Sequence, residues 1–413
     1  MRSLRSIGAI AALLPIALAG CVTSGTSPSA AASTPIASAP ASAPAATLSA
    51  TSSPTQGPSS PAVTPAVGSQ GQLLLYFVPP ADQGSFANGE AAVVGADGSG
   101  RRDVAQSVQA SWSHDGSLIH VIAEDSSCVP HLSDYPASGG PATPSPVQFK
   151  AGDYYFRWSP DDSQVVFFRR THGLTADICQ GKVSQVDPTA MQQDLMVMNS
   201  DGTNLRTLAT AEGSIGPISW TPDGKTLVWA RWGPANVSGP LALVDVASGK
   251  ITDITSSKLQ FGVVSVSADG SKIAYSVSDP NSADVYSHAF VADLDGTQQV
   301  SLGVVGSSDG DPVWSPAGNR LALVRTSGTG AGGRLVVVQP AQKAVSDVYG
   351  PVFQVDAPWA SVSWSSDGGK IACLGAADAA SGSSTGIVVV GADGTQAKAL
   401  AGTAGATQVY WQP

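Results

Sequence analysis

From residue 72 to the C-terminus, apolar positions recur every second residue in short runs, and Gly, Asp and Pro interrupt the runs at short intervals. That rhythm predicts strands joined by tight turns. The plainest unit is Ile218-Ser219-Trp220-Thr221-Pro222-Asp223-Gly224-Lys225-Thr226-Leu227-Val228-Trp229. Pro222 presets a turn φ, Asp223 can bond the backbone beyond it, Gly224 can take positive φ, and Leu227 and Trp229 alternate as strand residues do, so the unit reads as a hairpin. Related segments surround Trp112, Trp158, Val266, Trp314 and Trp364, and a last strand carries Trp411; successive marker positions lie 46, 62, 46, 48, 50 and 47 residues apart. A period in this range points to a repeat architecture.

A second hairpin answers the first in most repeats, as in Leu195-Met196-Val197-Met198-Asn199-Ser200-Asp201-Gly202 and Ile387-Val388-Val389-Val390-Gly391-Ala392-Asp393-Gly394. Two hairpins make four antiparallel strands, the blade of a β-propeller. The opening strand Gln72-Leu73-Leu74-Leu75-Tyr76-Phe77-Val78 has no Trp-containing strand before it, and the strand ending at Trp411 has nothing after it. The two fragments should share one blade and close the ring, which removes exposed sheet edges. The expected fold class is all-β: a propeller of seven four-stranded antiparallel blades, or six if residues 131–148 hold no second hairpin.

The Trp-Ser-Pro-Asp-Gly hairpin followed by strands such as Lys272-Ile273-Ala274-Tyr275 and Lys370-Ile371-Ala372-Cys373 resembles the repeat of TolB-type propellers. The resemblance covers residues 72–413. It implies the fold; propellers carry many unrelated functions.

The N-terminus has Arg2 and Arg5, an apolar run from Ile7 to Ala19 too short to span a bilayer, and then Leu18-Ala19-Gly20-Cys21. This resembles the bacterial lipobox, in which a peptidase cuts before the cysteine and the thiol carries a lipid. It implies an exported protein held at the extracytoplasmic side of a cell membrane through Cys21. Residues 22–70 are mostly Ser, Thr, Pro and Ala with no charged residue, a composition that cannot bury a core. The expected organisation is a signal peptide at 1–20, a lipidated cysteine and tether at 21–70 with a reach of roughly 40 Å, and a propeller at 71–413.

With 413 residues, 42% hydrophobic and 13% charged, the chain can bury a wide β-domain. The formal charge of −10, which becomes −12 once Arg2 and Arg5 are removed, excludes a phosphate backbone as partner. Of the four cysteines, Cys128 and Cys179 follow second strands of neighbouring blades, on the same face. Export permits a disulfide between them that would pin the longest loop, within 169–193. Cys373 reads as a buried thiol inside a strand.

That long-loop face is where binding would reside. Arg169, Arg231 and Arg325 end second strands in different blades, and with Arg170, His172 and Trp232 they form a candidate ligand face. The alternative reading of the arginines is local pairing with the chain's abundant Asp. Gly382-Ser383-Ser384-Thr385-Gly386 has nucleophile-elbow spacing but sits between strands, and the glycines at 328, 330 and 333 have dinucleotide-loop spacing without a following helix. His114, His120, His131, His172 and His288 show no metal-ligand spacing, and the Asp-Gly pairs lack the carboxylate pattern of a calcium loop. No catalytic residue, metal or cofactor is implied. The expected function is a binding or scaffolding module for a protein or envelope polymer; the alternative is a hydrolase or lyase with a site assembled at the central channel.

Overall fold

The hairpin turns are built by the residues that the sequence repeats. The Thr221 hydroxyl donates to Asp223 at 2.6 Å and accepts the Thr226 amide at 3.1 Å, while the same Asp223 oxygen accepts the Lys225 amide at 3.1 Å. Gly224 closes the turn at φ 67°, a region that a side chain would strain. Ser113 with Asp115, Ser159 with Asp161, Ser267 with Asp269 and Ser365 with Asp367 repeat the hydroxyl-to-carboxylate bond. In the sixth blade Ala317 replaces the aspartate, and Ser315 turns to Asn319 instead. Hydrogen bonds from the Ser267 hydroxyl and the Ser271 amide hold the Asp269 carboxyl down at about 2. Asp115, Asp161, Asp223 and Asp367 are lowered for the same reason. A carboxylate lowered on folding contributes stability above its unfolded pKa and loses it as pH falls through the folded one, so these turns weaken only in acid.

The computed structural model describes residues 71–77, 89–171, 192–212, 215–231, 239–255, 260–278, 287–304, 307–310, 312–327, 333–352, 362–376 and 385–413. They form seven antiparallel blades. The first takes its inner strand, Gln408–Trp411, from the C-terminus and its other strands, Gln72–Phe77, Gly89–Gly95 and Arg102–Ser107, from the start of the domain. The second runs Gln109–Trp112, Leu118–Glu124, Pro130–Pro136 and Thr143–Pro144, so the Pro-rich stretch does supply a second hairpin and the count is seven. Blades three to five begin with inner strands Asp153–Trp158, Ile215–Trp220 and Gln260–Val266. The sixth has a split inner strand, Ser307–Asp309 and Val313–Trp314, and the seventh begins at Val362–Trp364. The outer strand of blade six, Ala344–Val352, is long enough to pair across to blade seven at Val352 and Gly375, joining the two into one sheet.

The apolar core is distributed between blades rather than within them. Trp220 packs with Val166 and Phe168 of blade three and Leu227 and Trp229 of its own blade; Trp364 packs with Val324 and Leu335 of blade six and Ile371 of its own. The closing interface joins Leu73, Leu75 and Trp411 of blade one to Leu374 and Ile387 of blade seven. The indoles add a directional tie. Trp112, Trp220 and Trp364 donate their ring N–H to the carbonyls of Tyr410, Arg157 and Val313, each the residue just before the inner-strand tryptophan of the preceding blade. The turn glycines complete the contact: Gly270 lies against Pro222, Gly224 against Pro160 and Gly368 against Pro316.

Closure rests on Leu73 to Tyr76 pairing with Gln408 to Trp411. Deleting residues 408–413 should destabilise the ring by at least the about 3–5 kcal/mol that loss of one buried Trp costs, and should expose the edge of Gln72–Phe77 to aggregation. Calorimetry and light scattering of the truncated chain test this; a melting temperature and solubility equal to the parent's would argue against closure by the termini.

Candidate binding channel

The arginines that end the second strands are halves of ion pairs. Arg169 grips Asp153 with two bonds of 2.6 and 2.8 Å, and Arg325 grips Asp309 with bonds of 2.6 and 3.2 Å. Both aspartates are fully buried and stand directly across the ladder from their arginines. The Asp153 bond raises the Arg169 pKa above the usual guanidinium value. Arg231 pairs with Asp253 at 2.7 Å at the surface. Arg170 lies over the Tyr154 ring at 4.6 Å. His172 and Trp232 lie outside the described residues. Local pairing therefore accounts for all three arginines, and a sequence signal for it existed: Asp153 and Asp309 each precede their arginine by 16 residues, where blade four has Ile215.

A cavity of about 760 Å³ opens where the seven inner strands converge. Each blade in turn contributes Tyr410, Trp112, Phe156, Ile218, Val264, Val313 and Val362 to its wall. Ser113, Ser159, Pro160, Pro222 and Pro413 form its mouth on the side of the Asp-Gly turns; most of the long loop within 169–193, on whose face the sequence placed binding, lies outside the described residues. Besides the phenols of Tyr155 and Tyr410, it is lined by His114, Arg157 and Asp162. Asp162 occupies the position that glycine holds in other turns, at φ 55°. Burial raises its carboxyl pKa, partly offset by the His114 amide that donates to it at 2.6 Å. Behind the wall, buried His120 bonds Asp134 at 2.7 Å and stacks on Trp158 at 4.5 Å and 6°, which fixes that channel indole.

No protein-family model and no curated protein matches the chain. Solved structures do match. TolB from Acinetobacter baumannii superposes with a TM-score of 0.50 at 14% identity over 83% of this chain and 67% of that one. The oligogalacturonate lyase from Vibrio parahaemolyticus gives 0.57 at 11% over 77% and 91%. A puromycin-hydrolyzing peptidase of Mycobacterium tuberculosis gives 0.55 at 14% over 81% of this chain and 54% of that one. The fold is TolB-like. The neighbours that share it include a lyase and a peptidase, so a TolB-like ring does not by itself choose between binding and catalysis.

Among the described residues no group of three or more His, Cys, Asp or Glu could hold a metal ion. Gly333 opens a strand and Thr385 and Gly386 open another, so neither glycine-rich pattern leads into a helix. Cys128 is disulfide-bonded; Cys21 and Cys179 lie outside the described residues. Cys373 is free and buried, with its thiol pushed up to about 12 by burial. Among the ionisable groups that the sequence did not single out is Glu124: burial pushes its carboxyl, at the end of a second strand, up to about 7, against the pull of Arg170.

Two expectations follow from these charges. Arg325→Met strands a fully buried Asp309 carboxylate and should destabilise the domain by about 3–5 kcal/mol in denaturant titrations; a loss below about 1 kcal/mol would show the pair to be dispensable. Glu124 keeps its proton longer when folded, so folding is penalised as pH rises from the ordinary value of 4.5, and fully so above about 7. Glu124→Gln should accordingly be more stable than the parent at pH 8, with the advantage gone by pH 4. A difference independent of pH would contradict this.

Proposed function

We propose that the protein is a lipid-anchored, extracytoplasmic binding module that receives a protein or envelope ligand in its central channel. The observation that carries the reading is the wall: aromatic and aliphatic side chains from seven blades around about 760 Å³, with His114, Arg157 and Asp162 set among them. A largely apolar concavity with a few polar groups suits recognition, whereas a lyase or hydrolase needs a nucleophile or base held by a partner. Asp162 accepts the His114 backbone amide and stands 4.0 Å from His120, whose other ring nitrogen is taken by Asp134, and among the described residues no lining serine bonds a histidine. The anchor reading is supported by Leu18-Ala19-Gly20-Cys21 and the charge-free tether after it.

A photo-crosslinking residue at position 114, on the mouth, or at position 345, on the exposed outer strand of blade six, tests both parts in intact cells. Crosslinked adducts should form from position 114 and not from 345, in the membrane fraction, and Cys21→Ser should move the protein out of that fraction. Equal adducts from both positions would refute the channel as the site, and unchanged fractionation of the Cys21→Ser protein would refute the anchor.

A further inference from the structure

The inner strand of blade three departs from its neighbours at one point. The inner strands of blades three, four and five all slip register before their final residues, between Tyr154 and Arg157, Ile215 and Ile218, and Phe261 and Val264. Such bulges re-aim the side chains beside them. Blades four and five place Gly216 and Gly262 in the slipped segment. Blade three places Tyr155 there, at φ 60°, a strained conformation for an aromatic residue. Strain of this kind persists where surrounding structure holds it and gathers at ligand sites.

The Tyr155 ring carries the guanidinium of Arg157, whose central carbon stands 4.0 Å from the ring centroid. One edge of that guanidinium donates to the Phe156 carbonyl at 2.9 Å. Arg157 is thus fixed by a ring on one face and a carbonyl on one edge, and it lines the channel. Among the described residues no carboxylate lies within ion-pair distance of it. Arg101, Arg169, Arg231, Arg325 and Arg334 each have an acidic partner, and Arg102, Arg206 and Arg320 bond the carbonyls of Ala137, Val246 and Gly368; what sets Arg157 apart is that it lines the channel. In a chain with 31 acidic residues against 21 basic ones, a cation left without a carboxylate in an apolar wall stands out. A guanidinium held in one plane presents parallel N–H donors that match a carboxylate, and an apolar surround strengthens such a pair.

We propose that Arg157 anchors a carboxylate of the channel's ligand, while the apolar body of the same ligand packs on the aromatic and aliphatic wall. The proposal rests on the reading of the channel as a binding site and specifies the ligand's chemistry. The carboxylate can be the free end of a peptide or belong to a non-peptide acid.

Calorimetric titration of the full chain in detergent separates these outcomes. The probes are N-acetyl-Leu-Phe and its C-terminal amide, and 4-phenylbutyrate and its amide. The expected result is that acid binds at least about tenfold more tightly than amide, and that Arg157→Gln reduces the ratio to about one while Arg157→Lys keeps part of it. A preference for both acids supports the carboxylate alone as the recognised group; a preference confined to the peptide acid supports a peptide chain end. Equal binding of acid and amide by the parent overturns the proposal and leaves the channel reading standing. A ratio that survives in Arg157→Gln overturns it too, by placing the carboxylate elsewhere. Binding of none of the probes overturns both. If Arg157→Gln does not fold, the parent's ratios and those of Arg157→Lys still decide.

Discussion

No blade in this ring can bury its own apolar surface. The core is divided into clusters that lie between neighbouring blades, from the Trp112 cluster at the first interface to the Trp411 cluster at the last. Each blade therefore needs two neighbours, and an open array would leave two interfaces wet. The chain answers by carrying one blade in two pieces, 336 residues apart at the pairing of Tyr410 with Leu74. The same constraint explains the inner-strand tryptophans: a large flat side chain bridges two sheets, and in Trp112, Trp220 and Trp364 the ring N–H also reaches the backbone of the preceding blade.

The turns discharge a second duty. Hydroxyl, carboxylate and amide satisfy one another within a few residues, as in Thr221, Asp223 and Lys225, and so leave the turn tight enough for Gly270 to pack on Pro222 of the blade before it. Local chemistry thereby becomes long-range order, because the ring of turns sets the mouth of the channel. Asp162 is the exception that bears on function: with a side chain where glycine usually stands, it puts a carboxylate on the rim.

The fold was legible because it is written locally and repeatedly. Trp220, Pro222 and Gly224 are adjacent in sequence and recur, and the missing strand before Gln72 and the surplus strand at Trp411 announce each other. The channel was illegible for the opposite reason, since its wall takes a residue or two from each blade and neither Phe156 nor Val264 belongs to a motif. The arginines that end second strands drew attention because they are equivalent, and equivalence gave them the same buried aspartate in two blades. Arg157 was passed over because its setting depends on a bulge and on the backbone of Tyr155, neither of which a single sequence displays.

The two ends of the described domain meet on one strand. Gln72–Phe77 is bonded on one side to Gly89–Gly95 and on the other to Gln408–Trp411, and Gln412 donates its amide to Gln72. A pull on the chain that precedes Gly71 would run along that strand, across hydrogen bonds on both flanks, so many bonds would share the load at once instead of parting singly. The joint that completes the ring is also placed where it can resist tension.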